Sequence, residues 1–235
     1  MSSSHIATQI QTFARQSFVV LPRFLEPREL SALRRSCDAA LEWSRANCVE
    51  TSATTARISL LTQAHSLGAG LLEPVLELAA GARVCALLRA VRTSDMPGEP
   101  QLKEAHYYHE QTERDWDGDW HRDSQFLGVD PDSERQLIIG SWSVHFRVAF
   151  EHDDRLEIVP ASHARWDSDE ELRIRRGRSR ASNDMPNASR ISLRAGEACL
   201  FHAWSIHRAT YRRAPLRRTL DLLYSSARPS KTRFE

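Results

Sequence analysis

The chain has 235 residues with 32 basic and 31 acidic side chains, a net charge of +1, which supplies no field to draw it to nucleic acid or an anionic membrane. Its length suits one domain with a full core, and no apolar run reaches membrane-span length, because Leu71 to Val91 is broken by Glu73, Pro74, Glu77, Gly81, Arg83 and Arg89. Cys37, Cys48, Cys85 and Cys199 lie far apart with no C-x-x-C pair and no signal-peptide h-region is present, so free, mostly buried thiols in a reducing, cytoplasmic setting are expected.

Ile6, Ile10 and Phe13 recur at i, i+4 and i+7, predicting a short amphipathic helix over His5–Gln16. Phe18-Val19-Val20-Leu21 reads as a short buried strand ended by Pro22, and Pro27 opens a helix whose apolar positions Leu30, Leu33, Cys37, Ala40 and Leu41 carry it toward Ala46. Residues 50–68 carry little signal. Two helices over Leu71–Ala80 and Ala82–Val91 follow, broken at Gly81.

After Pro97 the pattern turns to strands. Leu102–His109 alternates, 113–119 is a polar loop, and Gln136–Phe150 reads as one long strand with Ile138, Trp142, Val144, Phe146, Val148 and Phe150 on one parity. Arg155–Val159 is another strand. Ser168 followed by Glu171 has the spacing of a capping box, predicting a helix over 167–176. Residues 191–193, 198–204 and 218–224 supply three more strands. The layout is mainly β with flanking helices: a double-stranded β-helix (jelly-roll, cupin-like) core over residues 98–228 behind an N-terminal helical layer over 1–95.

Trp120-His121-Arg122-Asp123 is the stretch with most chemistry. On an extended segment, His121 and Asp123 project to the same side and can occupy two neighbouring corners of one metal. A His-x-Asp pair alone is weak among ten histidines. The C-terminal third adds a Gly196-Glu197 turn into an apolar strand, then His202, His207 and Arg218.

Together these motifs resemble the iron(II)- and 2-oxoglutarate-dependent dioxygenases of the phytanoyl-CoA dioxygenase-like branch. In that family a W-H-x-D motif precedes a strand ending in P-G-S-H, here Leu156 through Pro160-Ala161-Ser162-His163. A G-D turn follows (here Gly196-Glu197), then a histidine eleven residues on (His207) and an arginine eleven beyond it (Arg218). Ala161 for glycine, Glu197 for aspartate, a short Glu151–Asp154 loop and Arg212 for a common asparagine are the departures.

The resemblance implies that His121, Asp123 and His207 hold Fe(II), leaving three positions for 2-oxoglutarate and O2. It implies that an arginine grips the far carboxylate of the co-substrate. Arg218 shares parity with Leu220, Leu222 and Tyr224, the more apolar face, whereas Arg217 shares it with Thr219 and Asp221, so Arg218 is expected to point inward. Tyr108, Ser141 and Ser143 are expected to line the co-substrate's wall. His202, six past Gly196, is the poorer alternative to His207. The Arg173–Arg180 run either helps to hold an anionic substrate or is a solvated helix face.

The expected activity is oxidation, foremost hydroxylation, of a small-molecule metabolite. Asp123 argues against halogenation, because related halogenating enzymes lack this carboxylate. The rivals are a cupin-like metal enzyme that uses no oxo acid and a non-catalytic jelly-roll binding protein with a vestigial site.

Overall fold

A computed structural model describes residues 3–47, 57–92, 99–109, 114–177, 181, 183–215 and 217–226. The helices α1 (Ser3–Gln16), α2 (Pro27–Ala46), α3 (Ala64–Leu67), α4 (Ala69–Ala79) and α5 (Ala82–Val91) fill the N-terminal part, and α6 (Pro131–Gly140) and α7 (Asp169–Arg176) interrupt the strands. The strands are β1 (Phe18–Leu21), β2 (Arg57–Ser59), β3 (Pro100–His109), β4 (Trp116–Asp117), β5 (Ser143–Ala149), β6 (Asp153–Ile158), β7 (Ser189–Leu193), β8 (Ala198–His202), β9 (His207–Tyr211) and β10 (Arg218–Ser226). They form an antiparallel six-stranded sheet in the order β1-β8-β5-β10-β3-β2 and a four-stranded sheet in the order β4-β9-β6-β7. This is the jelly-roll architecture read from the sequence.

The six-stranded sheet has two unlike faces. Val144, Phe146 and Val148 of β5, Leu200 of β8 and Leu220 and Leu222 of β10 pack outward against Phe13, Leu33, Cys37, Val75 and Leu88 of the helices in one buried core. A smaller cluster of Leu156, Ile158, Ile191, Leu193, Cys199 and Phe201 lies between the sheets. Much of the rest of the inner face of β5 and β10 is polar, carrying His145, Arg147, Thr219 and Asp221 in a region that is nonetheless largely buried.

Several local elements follow from the sequence as read. Glu29 accepts the Glu26 amide at 2.8 Å at the start of α2, and Ser168 and Glu171 exchange the two capping-box bonds at 3.3 and 2.7 Å. A Cβ at Gly81 would lie 2.9 Å from the Glu77 carbonyl oxygen, which is why the α4–α5 break falls there. Ala161 takes φ +59°, the left-handed conformation that a glycine adopts freely. Cys37 and Cys199 are buried free thiols, Cys85 is half-buried, and Cys48 lies outside the described residues.

Two expectations are corrected. Gln136–Phe150 is not one strand: α6 runs to Gly140 and β5 starts at Ser143. Asp130 caps α6 by accepting the Asp132 and Ser133 amides at 3.0 and 3.1 Å, Pro131 occupies its first turn, and Ile138 serves a helical stripe as well as a strand parity. The strand expected over 198–204 ends at His202, and β9, which the sequence did not suggest, begins at His207.

Candidate metal centre

His121 and His207 are brought side by side by a pair of backbone hydrogen bonds, His121 N–H to the His207 carbonyl at 3.0 Å and the reverse at 2.9 Å. The Asp123 amide donates to the Ala203 carbonyl at 3.1 Å, anchoring the third side chain to the turn between β8 and β9. The period-two expectation holds along the motif. Trp120 and Arg122 turn away into the interior, Trp120 beneath the Arg208 guanidinium at 4.6 Å, while His121 and Asp123 face the cavity.

Asp123 Oδ1 is 3.5 Å from Nε2 of both histidines, and one donor atom from each residue falls within a 4.8 Å cluster. Nδ1 of His121 lies 2.7 Å from the Asp119 carbonyl and Nδ1 of His207 2.9 Å from that of Ser205. A carbonyl only accepts, so each Nδ1 carries the proton and each Nε2 lone pair is left for a metal. Burial pushes His207 down to about 3. Burial would raise the Asp123 carboxyl, but the hydrogen bond and charge of His145 hold it well below the usual carboxylate range. Neutral imidazoles and an ionised carboxylate are the protonation states a divalent metal requires. Two nitrogens and one oxygen on one side of a point suit a six-coordinate iron(II) with open positions.

A cavity of about 750 Å³ opens over the triad, and Tyr108, Ser141 and Ser143 are among the residues that line it. The Ser141 hydroxyl donates to the Leu137 carbonyl at 2.7 Å and that of Ser143 to the Tyr224 carbonyl at 3.2 Å. His202 lies on the opposite face of β8 from the cavity, its ring 6.3 Å from Phe13, and is not part of the triad.

Arg218 is not where its parity suggested. It faces the helical layer and is tied to Glu151 at 2.6 and 3.1 Å and to Asp38 of α2 at 3.0 Å. The apolar parity of β10 marks the face covered by helices, and the polar parity marks the barrel interior. The inward arginine is Arg217. It is buried, lies over the rings of Tyr108 and Tyr211 at 4.7 and 5.7 Å, and its nitrogens find no hydrogen-bond partner, the nearest carboxylate being Asp153 at 3.6 Å. A buried guanidinium whose nitrogens make no hydrogen bond keeps its capacity to bind a carboxylate.

The Arg173–Arg180 segment is also corrected where it is described. Arg175 is fully buried and bonds Asp167, Glu134 and Gln125 at 2.7, 3.1 and 3.0 Å, Arg176 pairs with Glu134, and Arg173 is exposed beside Glu170. None of these three lines the cavity, and residues 178–180 lie outside the described residues.

His145 escaped the sequence reading. Its Nε2 lies 2.8 Å from Asp123 Oδ2 and its Nδ1 2.6 Å from Asp221 Oδ1. The available signal was the alternation Ser143, His145, Arg147 between apolar neighbours, a polar stripe on a buried strand.

A jelly roll with two histidines and an aspartate on one side of a buried cavity defines the class of mononuclear metal oxygenases. The family model for phytanoyl-CoA dioxygenase (PhyH) matches residues 13–219, and the chain belongs to that family. With the family come the iron(II), 2-oxoglutarate and O2 expected from the motifs.

Comparison with curated proteins finds no match. Among solved structures the chain is similar to the non-heme alpha ketoglutarate dependent epimerase SnoN from nogalamycin biosynthesis, with 16% identity over 96% of this chain and 84% of that one and a TM-score of 0.67. It is similar to HygX from Streptomyces hygroscopicus with nickel and 2-oxoglutarate bound, with 16% identity, 97% and 88% coverage and a TM-score of 0.67. It is similar also to EctD from S. alaskensis with 2-oxoglutarate and 5-hydroxyectoine, with 16% identity, 97% and 76% coverage and a TM-score of 0.64. At these identities the likeness is one of fold.

Proposed function

We propose that the protein is an iron(II)- and 2-oxoglutarate-dependent oxygenase that oxidises, most simply by hydroxylation, a C–H bond of a small metabolite. The observations that support this reading are the His121/Asp123/His207 face on the cavity and the buried, unbonded guanidinium of Arg217, which lies against Tyr108 and Tyr211, two residues that line that cavity. A metal enzyme without an oxo acid would need the first and not the second. Bound at that face, iron(II) supplies the O2 activation that couples conversion of 2-oxoglutarate to succinate and CO2 with oxidation of the substrate.

The residues of the chain do the holding. His121, Asp123 and His207 fix the metal, their orientations set by carbonyl oxygens and by His145. Arg217 meets the far carboxylate of the oxo acid, its plane held by Tyr108 and Tyr211; Tyr108, Ser141 and Ser143 line the cavity, the two serine hydroxyls donating to the Leu137 and Tyr224 carbonyls. At the cavity mouth Phe126, 69% exposed and with its ring 5.2 Å from that of His121, sits beside Leu127, Leu137 and Trp204. An apolar rim beside the metal suits a substrate with a hydrocarbon or aromatic portion.

The test is anaerobic titration of the protein with iron(II) and 2-oxoglutarate, followed by exposure to O2 with a metabolite panel. A visible charge-transfer band and succinate formation are expected. Absence of the band in metal-loaded protein would overturn the reading. Because SnoN is an epimerase, product mass decides the outcome: one oxygen gained for hydroxylation, none for epimerisation.

A further inference from the structure

We propose that His145 is a positioning residue that makes Asp123 a one-oxygen ligand and so keeps a metal position open for the co-substrate. The inference rests on the metal reading above and deepens it.

The two oxygens of Asp123 are divided between two tasks. Oδ1 faces the histidine pair, 3.5 Å from each Nε2, while Oδ2 is taken by His145 Nε2 at 2.8 Å. His145 is not free to release it. Its other nitrogen is clamped by Asp221 Oδ1 at 2.6 Å, and its ring lies flat on Phe201, with centroids 4.6 Å apart and planes 8° apart. Both ring nitrogens face carboxylates, so both carry protons, and the ring acts as a cation donating in two directions.

Coordination arithmetic gives this clamp a consequence. Three single-atom protein ligands on an octahedral ion leave three positions, two for a chelating oxo acid and one for O2. A carboxylate with an idle second oxygen can swing to bind through both, and then only two positions remain. The hydrogen bond from His145 withholds that oxygen.

The clamp has a buried backing of alternating charge. Asp221 Oδ2 is 3.9 Å from Arg147, Arg147 bonds Asp153 at 2.7 Å, and Asp153 lies 3.6 Å from Arg217. From Asp123 to Arg217 the signs alternate without a break, which allows six charged groups to share one interior. The same line of contacts joins the metal ligand to the arginine assigned to the oxo acid.

The experiment compares wild type, His145→Leu and His145→Gln, using nickel(II) in calorimetry as a redox-silent probe. The visible spectrum of the cobalt(II)-loaded protein is recorded with and without 2-oxoglutarate. His145→Leu is expected to lose roughly 10–100-fold in nickel affinity and to blunt the cobalt spectral response to the oxo acid. His145→Gln, whose amide can still donate to Oδ2, should keep most of both. A residue that merely filled space would lower Tm and leave the affinity of the folded protein unchanged.

Should His145→Leu not fold, His145→Leu/Asp221→Asn leaves no unpaired charge behind the strand and is expected to show the same losses. Unchanged affinity and an unchanged cobalt response in either leucine variant would overturn the inference while the metal site stands. Failure of wild type to bind either metal would overturn the site and the inference with it.

Discussion

Arg217 and Arg218 are neighbours in the chain and face opposite sides of one sheet. Arg218 joins α2 to β10 through Asp38 and Glu151, and Arg217 enters the barrel without a hydrogen-bond partner. Arg217→Ala is therefore expected to raise the KM for 2-oxoglutarate by roughly 10–100-fold, since a charge-assisted bond to a carboxylate contributes about 1.5–3 kcal/mol. Arg218→Ala should leave that KM unchanged and lower Tm; steady-state kinetics on both variants decide the matter. His163 and His202 set a pH dependence. Burial, followed for His163 by the charge of Arg122, pushes His163 down to about 4, and burial pushes His202 well below its ordinary value. Below about pH 6.5 the unfolded chain therefore binds more protons than the fold does. Through these two groups the stability of the metal-free protein should fall as pH drops from about 6.5 to 4. Urea melts across the range would check it, and His163→Gln should flatten the slope.

Among elements, the segment around the metal motif is held from beneath by buried charge. Arg122, between the two ligands His121 and Asp123, bonds Asp167 at 2.6 and 2.8 Å and the carbonyls of Ser162, Trp204 and Arg165. Asp167 and Glu134 then take Arg175 of α7, so the 3-10 turn Asp123–Leu127, α6 and α7 share one network. Arg122→Leu leaves Asp167 buried with one partner fewer and is expected to cost about 3–5 kcal/mol of unfolding free energy, measurable by denaturant titration without metal. This network was only half legible. The capping box of α7 and the W-H-x-D motif are local patterns that a linear reading detects. The partnership of Arg122, Asp167, Glu134 and Arg175 joins residues far apart in the chain, and a linear reading sees only a run of arginines.

At the scale of the molecule, the jelly roll and its helical layer were legible because alternation, turns and helical stripes are written locally. The sidedness of the large sheet was not. Parity shows which residues share a face, yet both faces are buried here: one against helices, the other around a polar cavity. Apolar residues therefore mark the outside of the barrel wall, which inverted the assignment of Arg218 and hid His145. The sheet's borders carry a further consequence. Its outermost strands, β1 and β2, both come from the segment that supplies the helical layer. A chain begun at residue 98 would lose its coat and its hems together, baring raw strand edges beside an oily wall. Such a fragment is expected to self-associate edge to edge rather than stay monomeric. A soluble, monodisperse fragment in light scattering would show that the barrel stands without its borrowed borders.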